Sequence, residues 1–126
     1  MDHKDHSLDH LLYPLMKHLM RPYLPADGAP PEGAGYTQGG ALYALGLIHA
    51  NKGGAGDSAT ITYLTNALRS AAGNEVIQHG ACLGIGLAGM ATADEGLYNE
   101  LYPVLHDAAN AVAGEGAALA IGLILM

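Results

Sequence analysis

Apolar residues in this chain fall at helical spacing, and polar or breaking residues separate them into short blocks. Leu8, Leu11, Leu12, Leu15 and Leu19 recur at steps of three and four, which predicts an amphipathic helix over His6–Met20. Pro14 should bend it, Pro22 and Pro25 should end it, and Ala26–Gly35 reads as a Pro/Gly linker loop. A second helix is predicted from about Thr37 to Asn51 and stops at Lys52-Gly53-Gly54. Asp57 or Ser58 suits the N-cap of a partner helix through Ser70, with Ile61, Leu64 and Leu68 on its apolar face. Gly73-Asn74 closes that hairpin. The plan then returns: a helix over Glu75–Met90, a turn at Ala91–Asp94, and a helix over Glu95–Ala109, where Pro103 should impose an irregular turn. A last helix is expected to start near Ala111.

The blocks also repeat a phrase. Gly40-Ala-Leu-Tyr-Ala-Leu-Gly46-Leu47 returns as Gly80-Ala-Cys-Leu-Gly-Ile-Gly86-Leu87 and again as Gly116-Ala-Ala-Leu-Ala-Ile-Gly122-Leu123, at steps of 40 and then 36 residues. Periods of about 20–50 residues mark arrays in which one supersecondary unit stacks on the next. The reading is therefore all-α: a right-handed solenoid of helical hairpins, each pairing a small-residue helix with an ordinary amphipathic one. A glycine inside a helix costs about 1 kcal/mol against alanine. Close backbone approach is what offsets such a cost in small-xxx-small packing. Gly40/Ala44, Gly80/Gly84 and Gly116/Ala120 supply such pairs, which places the glycine-rich helices face to face in an inner layer with the amphipathic helices outside. The expected units are residues 1–35 (an outer helix plus linker), 36–74, 75–110, and 111–126 as an incomplete repeat. The third phrase breaks off at Met126, so the chain reads as a piece of a longer array. Its apolar Ala117–Met126 segment lacks the polar cap that arrays use for solubility, which predicts self-association.

Composition narrows the class. Across 126 residues the formal charge is −7, against a nucleic-acid partner, for which a basic face would be needed. The chain has no Trp or Phe, and its 18 glycines suit a core of small side chains. One cysteine, Cys82, excludes an internal disulfide and suits a reducing compartment. The apolar runs Ala41–Ile48 and Ala117–Met126 fall short of the roughly 18–20 residues of a membrane span, and no signal peptide is seen. A soluble intracellular chain is the expectation, with a membrane-associated helical protein as a weaker reading.

The phrase Gly40-Ala-Leu-Tyr-Ala-Leu-Gly-Leu-Ile-His-Ala-Asn51, with Gly53-Gly54 after it, resembles the proteasome/cyclosome repeat. His79-Gly80 through Gly86-Leu87 and Gly114-Glu115 through Gly122-Leu123 are similar to consecutive copies, and Tyr23-Leu24-Pro25 sits where a preceding outer helix would end. The resemblance implies repeats that close into an α/α toroid and act as a rigid, non-catalytic docking platform with no cofactor. Scaffolds of this family hold together the ATPase ring, the lid and ubiquitin-processing factors of the proteasome regulatory particle, in cytoplasm and nucleus. Other members include a second proteasome scaffold and a component of a cell-cycle ubiquitin ligase, and both stay open as alternatives. Two full units and a partial third are too few to close a ring. The family's N-terminal rod and C-terminal tail are not in this sequence, and Pro14 and Pro30-Pro31 depart from the pattern. The positions that carry the reading are structural: Gly40, Gly46, Leu47, Gly80, Gly86, Leu87, Gly116, Gly122 and Leu123.

Gly84-Ile-Gly86-Leu-Ala-Gly89 fits the G-x-G-x-x-G dinucleotide fingerprint, and a small nucleotide-binding enzyme is the runner-up reading. The motif needs a strand before it, whereas Glu75–Leu83 reads as the start of the same helix. Its Gly84 and Gly89 columns hold Ala44 and His49, then Ala120 and Leu125, in the sister copies. His3, His6 and His10 with Asp2, Asp5 and Asp9 have metal-ligand character, although a solvated terminus is the simpler reading. His18, His49, His79 and His106 are scattered. Cys82 shares a column with Leu42 and Ala118, as a buried small hydrophobe would. Glu32, Glu95, Glu100 and Asp107 show no paired spacing, and no set of nucleophile, base and oxyanion donor assembles.

Overall fold

A computed structural model describes residues 34–50, 58–107 and 109–126. Within them lie five helices and no strand: α1 (Ala34–Ile48), α2 (Ser58–Ser70), α3 (Glu75–Ala88), α4 (Glu95–Leu105) and α5 (Ala111–Leu125). The helix expected over His6–Met20 and the Asp57 cap lie outside the described residues, as does the expected Ala26–Gly35 linker except for its last two residues, Ala34 and Gly35, which are not loop but the first turn of α1. The rest of the order matches the sequence reading, with shifted ends. α1 begins before Thr37 and ends before Asn51, and α3 stops at Ala88 rather than Met90.

Local chemistry sets these limits. Asn74 caps α3 by accepting a hydrogen bond from the Ile77 N–H at 3.2 Å, and Asp94 caps α4 by accepting from the Leu97 N–H at 3.1 Å. Gly73 turns the chain from α2 into α3 at φ +90°, where a side chain would be strained. The irregular turn expected at Pro103 is not there: Pro103 lies inside α4. The missing N–H frees only the Asn99 carbonyl, one turn earlier, and both residues are exposed, so that carbonyl does not have to be buried without its helical partner. The helix ends two residues later at Leu105, short of the expected Ala109.

The five helices form two layers. α1 packs on α3 and α3 on α5, while α2 lies against α3 and α4 against α5. The core between layers is aliphatic: Leu42 and Leu45 from α1, Leu64 and Leu68 from α2, Ile77 and Ile85 from α3, Leu97 and Leu101 from α4, Ile124 from α5. Burying each such side chain contributes about 1.5–3 kcal/mol, and this attaches the outer helices. Across the outer layer, Arg69 of α2 and Glu100 of α4 form a two-point ion pair, with Nε donating to Oε2 at 3.1 Å and Nη2 donating to Oε1.

Within the inner layer the contact is backbone on backbone. A Cβ added to Gly39 would stand 2.7 Å from the Val76 carbonyl oxygen, and one on Gly84 would stand 2.6 Å from that of Leu42. Gly46 of α1 lies against the Gly84 backbone, and Gly80 of α3 against that of Gly39. At the next interface, a Cβ on Gly86 would meet the Ala120 Cα at 2.6 Å and its Cβ at 2.9 Å. Real Cβ atoms do not approach so closely, so each glycine admits the neighbouring helix.

The turn after α3 ties this layer together. Ala91 and Ala93 sit at φ 61° and 50°, a conformation that costs an L-residue about 1–2 kcal/mol. Their N–H groups donate to the Leu123 and Ile124 carbonyls at 2.9 Å. Both carbonyls lie in the last described turn of α5. The strain is thus held by bonds to the neighbouring repeat.

The same substitution should have opposite effects at two classes of glycine. Gly86→Ala drives a methyl group into α5 and should destabilise by about 1–3 kcal/mol, with Gly86→Leu worse. Gly40→Ala meets open space and should stabilise by roughly 0.5–1 kcal/mol through helix propensity alone. Urea denaturation of both variants checks the signs, and two losses of similar size would contradict this packing scheme.

Candidate functional site

The inner layer orders its small residues by direction. Gly80 and Gly84 of α3 face back toward α1, while His79 and Gly86 face onward to α5. Gly116 and Ala120 of α5 again face back: a Cβ on Gly116 would lie 3.0 Å from the His79 carbonyl oxygen. Gly80 and Gly116 therefore meet the preceding inner helix, and Gly46 and Gly86 meet the following one. Two of the sequence-selected positions behave differently. Gly40 and Gly122 were grouped with the packing glycines, but both are exposed, and nothing lies within 4 Å of where their Cβ would be. Gly40 looks back from the first described inner helix and Gly122 looks onward from the last. Each has no helix against it among the described residues.

Leu47, Leu87 and Leu123 occupy another face. Leu47 and Leu87 stand two residues beyond the buried Leu45 and Ile85, about 200° around the helix at 3.6 residues per turn. Leu47 is 57% exposed, and Leu87 and Leu123 are half-buried. With Tyr43, Leu83 and Leu119 they make an apolar strip across the stack, turned away from α2 and α4.

Gly39 carries no signal in the sequence, and Gly89 stands out there only as the last glycine of the Gly84–Gly89 motif. Gly39 shares its column with His79 and Glu115, so no repeated residue type marked it, although its Cβ position abuts the Val76 carbonyl. Gly89 leaves room for Leu97, whose Cδ1 would lie 2.6 Å from a Cβ there. The strained turn at Ala91 and Ala93 had no sequence signal, since alanine rarely adopts positive φ.

Gly84 and Gly86 lie inside α3, nine and eleven residues beyond its first residue, and Gly89 caps its end. No strand precedes them, and their open sides are filled by Leu42 and Ala120. The dinucleotide geometry, with a pyrophosphate at a helix N-terminus, does not form there. Cys82 is fully buried, and burial pushes its thiol from 9.0 up to about 12, which keeps it protonated and unreactive near neutrality. His79 is half-buried, with Nε2 3.6 Å from a Glu115 carboxylate oxygen. His49 is buried, and His106 is exposed with its ring 4.3 Å from that of Tyr102. Glu95 and Asp107 are exposed, and Glu100 pairs with Arg69. The histidines at 3, 6, 10 and 18, and Glu32, lie outside the described residues. Among the described residues no three His, Cys, Asp or Glu side chains gather as metal ligands, and no helix is long and apolar enough to cross a membrane.

Residues 80–112 match the model of the proteasome/cyclosome repeat. The chain is 53% identical over 108 residues, 86% of its length, to "26S proteasome non-ATPase regulatory subunit 1 homolog B" of Arabidopsis thaliana. It is 44% identical over 124 residues, 98% of its length, to "26S proteasome non-ATPase regulatory subunit 1" of Drosophila melanogaster. It is also 44% identical over 108 residues, 86% of its length, to "26S proteasome regulatory subunit rpn2" of Schizosaccharomyces pombe. It spans about a tenth of these curated relatives: 10%, 11% and 10% of their lengths.

The Cys82 thiol gives a pH signature. A group whose pKa is higher folded than unfolded stabilises fully below its unfolded value, and that contribution is lost as pH rises toward the folded one. The stability difference between the parent chain and Cys82→Ala should therefore be flat below about pH 9. Above that it should shift against the parent by about 1.4 kcal/mol per pH unit. Denaturant midpoints at pH 8 and pH 10 test this, and a constant difference would show that the thiol is not desolvated.

Proposed function

We infer, from the premise that residues 80–112 carry a proteasome/cyclosome repeat and that the chain is related along most of its length to 26S proteasome regulatory subunits, that its work is positional. It would form part of a non-catalytic scaffold of the regulatory particle, holding other subunits in place for ubiquitin-dependent degradation in cytoplasm and nucleus. Its partners would be the ATPase ring, the lid and ubiquitin-processing factors. The observation that carries this reading is the glycine-mediated contact of α1, α3 and α5. Helices whose backbones touch have little room to slide or tilt, because a close-packed interface transmits strain instead of absorbing it. The relatives named above favour subunit 1 over the other scaffolds built from this repeat.

A chimera tests the proposal. The aligned 108-residue stretch of the Schizosaccharomyces pombe subunit is replaced by that of this chain, and regulatory-particle assembly is followed by native electrophoresis. The expected result is assembly at parental level, lost when Gly46→Leu and Gly84→Leu are introduced together. A chimera that accumulates as folded subunit but stays outside the particle would overturn the reading. So would one that assembles regardless of both leucines.

A further inference from the structure

We propose that Gln38 of α1 and Asn74 at the start of α3 form a buried amide clasp, which makes the N-cap of one inner helix depend on the helix stacked before it. The inference rests on hydrogen-bond chemistry inside the described helices and is independent of the scaffold reading. Gln38 is 9% exposed, and its Oε1 is shut off from solvent without a hydrogen-bond partner. A buried amide oxygen in that state has lost its hydration and gained nothing. Gln78 of α3 stands 40 residues on in the same column and is equally buried, but its Oε1 accepts from Asn110 Nδ2 at 3.5 Å. Asn110 immediately precedes α5, as Asn74 immediately precedes α3.

The equivalent partner for Gln38 is in place. Asn74 Nδ2 lies 3.4 Å from where a Cβ on Gly35 would stand, so the Asn74 amide rests against the first turn of α1, one turn from Gln38. Its Oδ1 is already taken, accepting from the Ile77 N–H at 3.2 Å. Asn74 therefore has its NH2 group left to offer, and Gln38 has an oxygen left to receive it, so the two amides match in one orientation. Asn110 Nδ2 is shared, since it also donates to Asp107 Oδ2 at 3.1 Å. The column of Asp107 holds Ala71 in the earlier repeat, so no such acceptor competes for Asn74. Gly39, next to Gln38, already holds the two backbones in contact through Val76, and side-chain rotation closes the bond. Asn74 then grips Ile77 through its oxygen and Gln38 through its nitrogen, which fixes the cap of α3 from α1.

The sign of one substitution tests the clasp in the 126-residue chain. Gln38→Met keeps the length of the side chain and removes the acceptor. With the clasp its urea midpoint falls, with failure to fold as the extreme. A midpoint that rises would show that the oxygen had no partner, and would overturn the proposal. Amide exchange followed by NMR tests the link to the cap. In the parent, the Asn74 side-chain amide should exchange more slowly than that of Asn99, which is exposed on α4. Gln38→Asn keeps the amide but is one methylene too short. It should speed exchange at the Asn74 side chain and at the Ile77 N–H by about two- to tenfold, the contribution of one hydrogen bond. Exchange at Asn110 should not change. A parent in which Asn74 exchanges as fast as Asn99 would overturn the clasp, and so would a variant that leaves Ile77 as protected as before.

Discussion

Every other feature of this fold follows from how closely the inner helices approach. Helices packed through ordinary side chains keep their axes about 8–10 Å apart, and the side chains between them set the distance. Here the atoms in contact are the Leu42 and Val76 carbonyl oxygens and the α-carbons of Gly84 and Ala120. With the inner helices in backbone contact, the buried large aliphatic side chains of α1, α3 and α5 join those of α2 and α4 in a single core. That contact explains how a chain without Trp or Phe closes the core: nothing bulky has to fill the space between the inner helices.

The price of this arrangement appears in the glycines themselves. Gly39, Gly46, Gly80, Gly84 and Gly86 each weaken their helix by about 1 kcal/mol relative to alanine, and no local interaction repays it. The helices therefore depend on being stacked. The clasp at Ala91 and Ala93 shows the same dependence from the other side, since a strained turn of one repeat is stable only because the end of α5 supplies acceptors. Folding of one repeat and docking of the next are coupled, as expected for a quasi-one-dimensional array.

Much of this was legible in the amino-acid order. Ile61, Leu64 and Leu68 sit at helical spacing, and the breaks at Gly73-Asn74 and Ala91–Asp94 divide the chain, so the helices and their layer could be read directly, whereas the capping by Asn74 and Asp94 appears only in the structure. The recurrence of Gly46, Gly86 and Gly122 showed that small residues matter at that position. What recurrence could not show is direction. A column reports that the environment repeats, and among the described residues α1 and α5 have an inner helix on only one side, which is why Gly40 and Gly122 look identical to Gly80 and Gly86 in sequence and differ in burial. Pro103 breaks nothing because of where it stands: two residues from the end of α4 and exposed, it removes one hydrogen bond at a surface open to solvent.

The directional columns also bear on what kind of work the surface can do. An active site needs a concave pocket where polar groups converge with perturbed proton affinities. In this stack the positions that could have opened such a pocket are glycines closed by a neighbouring backbone, and the buried nucleophile Cys82 is held protonated by its apolar surroundings. What remains on the outside is a graded set of faces: an ion-paired outer layer at Arg69 and Glu100, a row of Tyr98, Tyr102 and His106 along α4, and an apolar strip from Tyr43 to Leu123. Their relative positions are fixed by backbone contacts and not by flexible side chains. A small shift of one face therefore requires all three inner helices to move together, and this is the mechanical property that a positioning element needs.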